Sequence, residues 1–211
     1  MDTILLHPTY FPSIAQMAAM VQATHVIFEK EGTYQKQSYR NRAYIAHSNG
    51  KLLLSIPVKH SHDGTRLQYK EVAIENDFPW QSHHLKSLQS AYRTSPFFEY
   101  YEDEMTPLFT ESVSGLWEHN IKIIHFLLET LGADIDFSYS ERYVKTPEAT
   151  DLRYMANAKR EKKIKVPHYH QVFEAKHGFL HNLSILDLFF SEGPNTLNYL
   201  EKLDLKVVSS E

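Results

Sequence analysis

The chain has 211 residues, 42% hydrophobic and 23% charged, with a formal net charge of −4. That length suits one domain with a sizeable core, and the acidic balance excludes a global basic field for nucleic acid or an anionic membrane. Cysteine is absent, which excludes disulfides, thiolate catalysis and zinc–thiolate sites.

The N-terminus carries Asp2 and no basic run, so it does not read as a secretory signal, and no window approaches the apolar length of a membrane span. A cytoplasmic protein is the expectation. Ile4-Leu5-Leu6 predicts a short buried strand. His7-Pro8-Thr9-Tyr10-Phe11-Pro12 follows as a loop punctuated by two prolines. Ser13 is placed to cap a helix, because Ile14, Met17, Ala18 and Val21 recur at helical spacing. The loop after such a strand is a favoured ligand position in α/β proteins, which makes His7 and Tyr10 candidates for a site or, equally, for loop packing.

Val26-Ile27-Phe28 predicts the next strand. Residues 34–42 then hold three cations, two tyrosines and four other polar side chains, a poor core and a candidate site. In an extended chain Ser38, Arg40 and Arg42 would share one face, with Tyr39 and Asn41 on the other. The two arginines would stand roughly 7 Å apart, a spacing that suits a phosphate or carboxylate. The competing reading is a solvated edge strand. Ala43-Tyr44-Ile45-Ala46 continues the strand, Ser48-Asn49-Gly50 signals a hairpin turn, and residues 52–58 return. Lys59 opens a polar loop, and Val72-Ala73-Ile74 predicts one more short strand.

From Pro79 the character changes to helical. Trp80, His84, Leu88 and Tyr92 share one stripe, Pro96 begins a broken aromatic helix, and residues 116–131 form the most regular helix, closed by Gly132. Residues 135–139 alternate and are expected to return to the sheet. Residues 146–166 are polar and cation-rich without apolar period and read as a mobile or surface segment. Ser184 and Asp187 form a capping-box-like start to an apolar helix, and Asn195 is placed to cap a last one. The pattern predicts an α/β (or α+β) single domain over residues 1–204. An N-terminal strand-loop-helix and a β-hairpin sheet (residues 1–78) are backed by a mostly helical part (79–204), with a tail at 205–211.

The chain resembles the WbqC-like family in His7-Pro8-Thr9-Tyr10-Phe11-Pro12, Lys36-Gln37-Ser38-Tyr39-Arg40-Asn41-Arg42 and Ile56-Pro57-Val58-Lys59. The likeness continues in Trp80 with His84, in Tyr92-Arg93-Thr94-Ser95-Pro96-Phe97-Phe98, and in residues 182–194. The resemblance implies a role in polysaccharide or O-antigen biosynthesis, where members of the family occur.

The chemistry then divides into a few constellations. Lys36, Arg40, Arg42 and Lys59 are the anion-binding candidates, with Tyr10, Tyr34 and Tyr39 available to stack on a base or sugar and Asn41 alongside. His7 and His84 are candidate general bases, and Asp187 a candidate catalytic carboxylate with Glu192 nearby. His60-Ser61-His62-Asp63, His168-Tyr169-His170 and the pair His177 and His181 have spacings that metals use, yet they fall in loops and no native metal is expected. Neither a Walker sequence nor a dinucleotide fingerprint is present, so neither cofactor-binding motif is supported and the sequence names no cofactor either way. The expectation is a transferase acting on a nucleotide-linked or phosphorylated sugar. The alternative is a non-catalytic scaffold using the aromatic residues 97–101 and the basic residues 159–163 against a protein partner. RNA is disfavoured by the net charge.

Overall fold

The computed structural model describes residues 2–59, 64–159 and 164–205. The His60-Ser61-His62-Asp63 motif and residues 160–163 of the basic run lie outside them.

Two sheets form. The first is parallel throughout, in the order β5-β2-β1-β6, from β1 (Thr3–Leu6), β2 (His25–Phe28), β5 (Phe137–Tyr139) and β6 (Thr150–Asp151). Ile4, Leu5 and Leu6 of β1 are all buried, as a central parallel strand covered on both faces requires. The second is the antiparallel hairpin of β3 (Arg42–His47) and β4 (Gly50–Ser55), turned at Ser48 and Asn49, with Gly50 at φ +101°. The hairpin stands as its own sheet rather than extending the parallel one.

Helix α1 (Ile14–Val21) crosses from β1 to β2, and the Ser13 hydroxyl accepts the Gln16 N–H to cap it, as expected. The second half is α2 (Trp80–Tyr92), α3 (Phe98–Met105), α4 (Pro107–Thr110), α5 (Leu116–Leu131), α6 (Glu174–His177), α7 (Ile185–Glu192) and α8 (Thr196–Lys202). Gly132 ends α5 in the left-handed region at φ +65°, the conformation that glycine adopts without a Cβ clash. Tyr10, Tyr69, Phe28, Phe189 and the α1 and α5 stripes belong to one continuous hydrophobic cluster, so the strand-rich and helix-rich parts share a core.

Several expectations are corrected. Residues 36–41 are not extended; β3 begins only at Arg42. Gln37 takes φ +58°, and the Ser38 hydroxyl donates to the Gln35 carbonyl at 2.8 Å. The backbone of Tyr39 bonds the loops at Tyr10 and Ala156 instead of a strand. Val72-Ala73-Ile74 makes only isolated bridges, from Ile74 to Val58 and from Ala73 to Gly115. Residues 146–166 are not merely surface: β6 pairs with β1, and Met155, Ala156, Ile164 and Val166 are buried. A two-residue strand and a single 3-10 turn (Arg153–Ala156) are too short to leave a period in the sequence.

At α7, Ser184 caps the Leu186 N–H, while the Asp187 side chain turns inward instead of completing a capping box. Asn195 makes no side-chain cap to α8 and donates to Glu192 Oε2 instead. His181 lies beyond α6, so it and His177 do not share a helical turn.

Candidate functional site

The connection leaving β1 runs through α1 to β2 on one side, whereas β6 lies against β1 on the other. The strand ends of β1 and β6 therefore flank a topological switch point, where open parallel sheets leave a crevice for ligands. A cleft of ≈ 680 Å³ opens there. Its walls include His7 after β1, Gly32 in the loop after β2, Asp151 and Arg153 at and after β6, and Arg40 from the turn before β3.

His7 and Arg40 are 6% and 3% exposed. The Arg40 guanidinium lies 5.4 Å from the Tyr69 ring centroid and donates one long hydrogen bond, 3.3 Å, to Ser38 Oγ. Its Nε has no partner, and it makes no ion pair among the described residues. Asn120 holds the Arg40 carbonyl at 2.6 Å, which fixes the turn that aims the side chain. The Nδ1 of His7 is also without a partner. Burial, then the charges of Arg40 and Arg153, hold the His7 pKa well below the usual histidine value, with the Glu29 backbone opposing. The ring is neutral at pH 7.

Arg153 is set by a clasp. It bonds Asp151 through Nε at 2.9 Å and Nη2 at 2.6 Å, and reaches Glu29 Oε2 through Nη1 at 3.3 Å. Its guanidinium also lies 5.0 Å from the Tyr143 ring centroid. Glu29 is 1% exposed, and its Oε1 accepts from the backbone N–H groups of Glu31 and Gly32 and from Ser140 Oγ. This carboxylate shapes the β2 loop and ties it to the segment after β6. A Cβ on Gly32 would stand 3.3 Å from His7 Cε1 and 3.3 Å from Glu29 Cγ, so the loop approaches the imidazole closely.

The cleft is electropositive. Arg40, Arg66, Lys145 and Arg153 line it, and the acidic lining residues are already engaged, Asp151 by Arg153 and Glu31 by Lys70 at 2.5 Å. A second hollow of ≈ 550 Å³ adjoins it, sharing Thr33, Gln35 and Arg66. Tyr34, Lys36, Lys59 and Lys159 also line it, and among the described residues no carboxylate does.

The chain belongs to the WbqC-like family. The family match spans residues 7–163, which contain every lining residue of both hollows. No curated protein and no solved structure matches the chain. Within this WbqC-like chain, the structure brings His7 and Arg40 into one cleft and places Tyr34, Lys36 and Lys59 in the adjoining hollow.

The remaining candidates lie elsewhere. Tyr10 is fully buried and shares a 2.8 Å hydrogen bond with His84 Nδ1, against Trp80 and His119 in the core. Tyr39 packs edge-on to Tyr44 at 6.2 Å, Asn41 donates to the Ile56 carbonyl, and Arg42 lines neither hollow. Asp187 is wholly buried. It accepts from Tyr92 and Tyr169 hydroxyls at 2.6 Å each and from Gln171 Nε2 at 2.7 Å, and it lines neither hollow.

Sequence reasoning missed Arg153, Asp151, Glu29, Lys145 and Arg66. The available signal was the Asp151/Arg153 pair, two positions apart, in a segment that lacks an apolar period. Among the described residues no group of three or more histidine or carboxylate side chains stands at metal-binding distance, and no helix is long and apolar enough to cross a membrane.

Proposed function

We propose that the chain binds the phosphorylated part of a small molecule, a sugar phosphate or a nucleotide-linked sugar, in the β1–β6 cleft and acts on it as a group transferase. The observation that carries this reading is Arg40: a buried guanidinium with a free Nε and, among the described residues, no ion-paired carboxylate, beside a neutral His7 whose Nδ1 is unpartnered. An uncompensated buried charge destabilises a fold and is retained where a ligand of opposite sign completes it. Arginine's planar fork suits phosphate oxygens. The glycan part of the proposal draws on the family resemblance rather than on the cleft.

In such a transfer His7 takes the proton of an acceptor hydroxyl or amine as that atom forms its new bond. The electron pair of the broken donor bond leaves with the phosphorylated group, whose charge stays under Arg40 and Arg153. An anion between the two arginines offsets the charges that depress His7 and so raises its basicity.

A thermal-shift screen of orthophosphate, nucleotides and sugar nucleotides tests the proposal, because a ligand of the native state alone raises the Tm by mass action. The expected result is a shift with a phosphorylated compound that disappears in Arg40→Met. A folded wild-type protein that responds to none of them, or an Arg40→Met variant that responds equally, overturns it.

A further inference from the structure

The hollow beside the cleft carries more positive charge than a single phosphate uses. Lys36, Lys59, Arg66 and Lys159 are all exposed, and among the described residues none of them makes an ion pair. Four cations around ≈ 550 Å³, with no acidic side chain in the lining among the described residues, repel one another. The same chain carries a net charge of −4, and elsewhere cations do meet acids, as at Lys70–Glu31 and Arg153–Asp151. The two hollows share Thr33, Gln35 and Arg66 in their linings, so they lie side by side along these residues.

We infer that the lysine-lined hollow is a second anion subsite, and that the ligand is an extended molecule carrying at least two linked phosphate groups. One phosphate is held at Arg40, His7 and Arg153, and the next lies under Arg66 with Lys36 and Lys59. The inference rests on the proposed reading of the cleft and adds to it the ligand's length and charge. A monophosphate fills only the buried end. A linked chain of phosphates engages both ends, and the second contact becomes intramolecular. The buried end selects by shape and desolvation. The open end adds attraction that salt screens, because its ammonium groups are in water.

The test is calorimetric titration with orthophosphate and with tripolyphosphate, at low and at high salt, on wild type, Lys36→Ala/Lys59→Ala and Arg40→Met. Both lysines are exposed, so the double variant should fold. Tripolyphosphate is expected to bind wild type at least about tenfold tighter than orthophosphate, with the excess shrinking at high salt. In the lysine variant the excess should fall to less than about threefold, while orthophosphate binding stays within about twofold of wild type. Arg40→Met should lose both ligands. If orthophosphate binds through Arg40 but tripolyphosphate gains nothing, or its gain survives the lysine change, the second subsite is wrong and the cleft stands. If neither ligand binds folded wild type, the reading of the cleft itself falls.

Discussion

A guanidinium at 3% exposure with one long hydrogen bond and a ring face beside it opposes folding, because its desolvation is not repaid by a carboxylate. Arg40→Met is therefore expected to keep or raise the Tm while abolishing the response to phosphate; a marked loss of stability would show that Arg40 serves packing instead. His7 supports a prediction of its own. Its pKa is held down by burial and by Arg40 and Arg153, and a bound anion offsets the two charges. The bound state then takes up a proton more readily than the free one, so binding of an anion that does not itself titrate must strengthen as pH falls. Sulfate titrations at pH 7.5 and 5.5 should show tighter binding at the lower pH, and His7→Gln should be flat between them. Equal sulfate affinity at both pH values in wild type would remove His7 from the site.

At the scale of elements, the site depends on two loops that a single carboxylate joins. Glu29, at the end of β2, holds the N–H groups of Glu31 and Gly32 and one arm of Arg153 beyond β6. Strand β6 contributes only two residues to the sheet, too few ladder bonds to fix the chain after it, so the clasp supplies what pairing cannot. Glu29→Ala leaves buried donors and one guanidinium arm without their partner and should cost about 3 kcal/mol in urea unfolding. It should also weaken phosphate binding, because Gly32 loses its tether and Arg153 keeps only Asp151 as a carboxylate partner. A change below about 0.5 kcal/mol would mean that the loops hold their shape without it.

Over the whole molecule, acid stability reports how many histidines are buried neutral. His7 is held well below the ordinary value, chiefly by burial, and His84 and His119 are each pushed down to about 4 by the same cause. These folded-state values are depressed, so the unfolded chain takes up protons first as pH falls below about 6.5. Stability is full above that pH and declines toward pH 4, by up to about 1.4 kcal/mol per pH unit for each histidine. Buried Asp187 acts in the opposite sense, since burial raises its pKa and the folded state protonates first. The net expectation is a loss on the order of 1–3 kcal/mol between pH 7 and pH 5 in denaturant titrations, reduced in His84→Gln/His119→Gln. Stability that stays level over that interval would contradict the neutral burial of these rings.

Local pattern alone determined much of this protein. Ser13 as a cap, the hairpin turn at Ser48 and Asn49 before Gly50, and α5 from Leu116 to its left-handed Gly132 follow from residues within a turn or two of each other. Their physics is short-ranged, so the sequence displays it. His7 and Arg40 were legible as candidates because a polar residue after an apolar strand, and arginines in a run too polar for a core, stand out locally. What only the tertiary structure decided is which of these meet. Tyr10 and His84 went to the core together, 74 positions apart in the chain, and Asp187 went to Tyr92 and Tyr169. Arg153 came to His7 because β6 pairs with β1 across more than 140 residues. Such partnerships depend on strand order and on desolvation, and neither is written in the spacing of neighbouring residues.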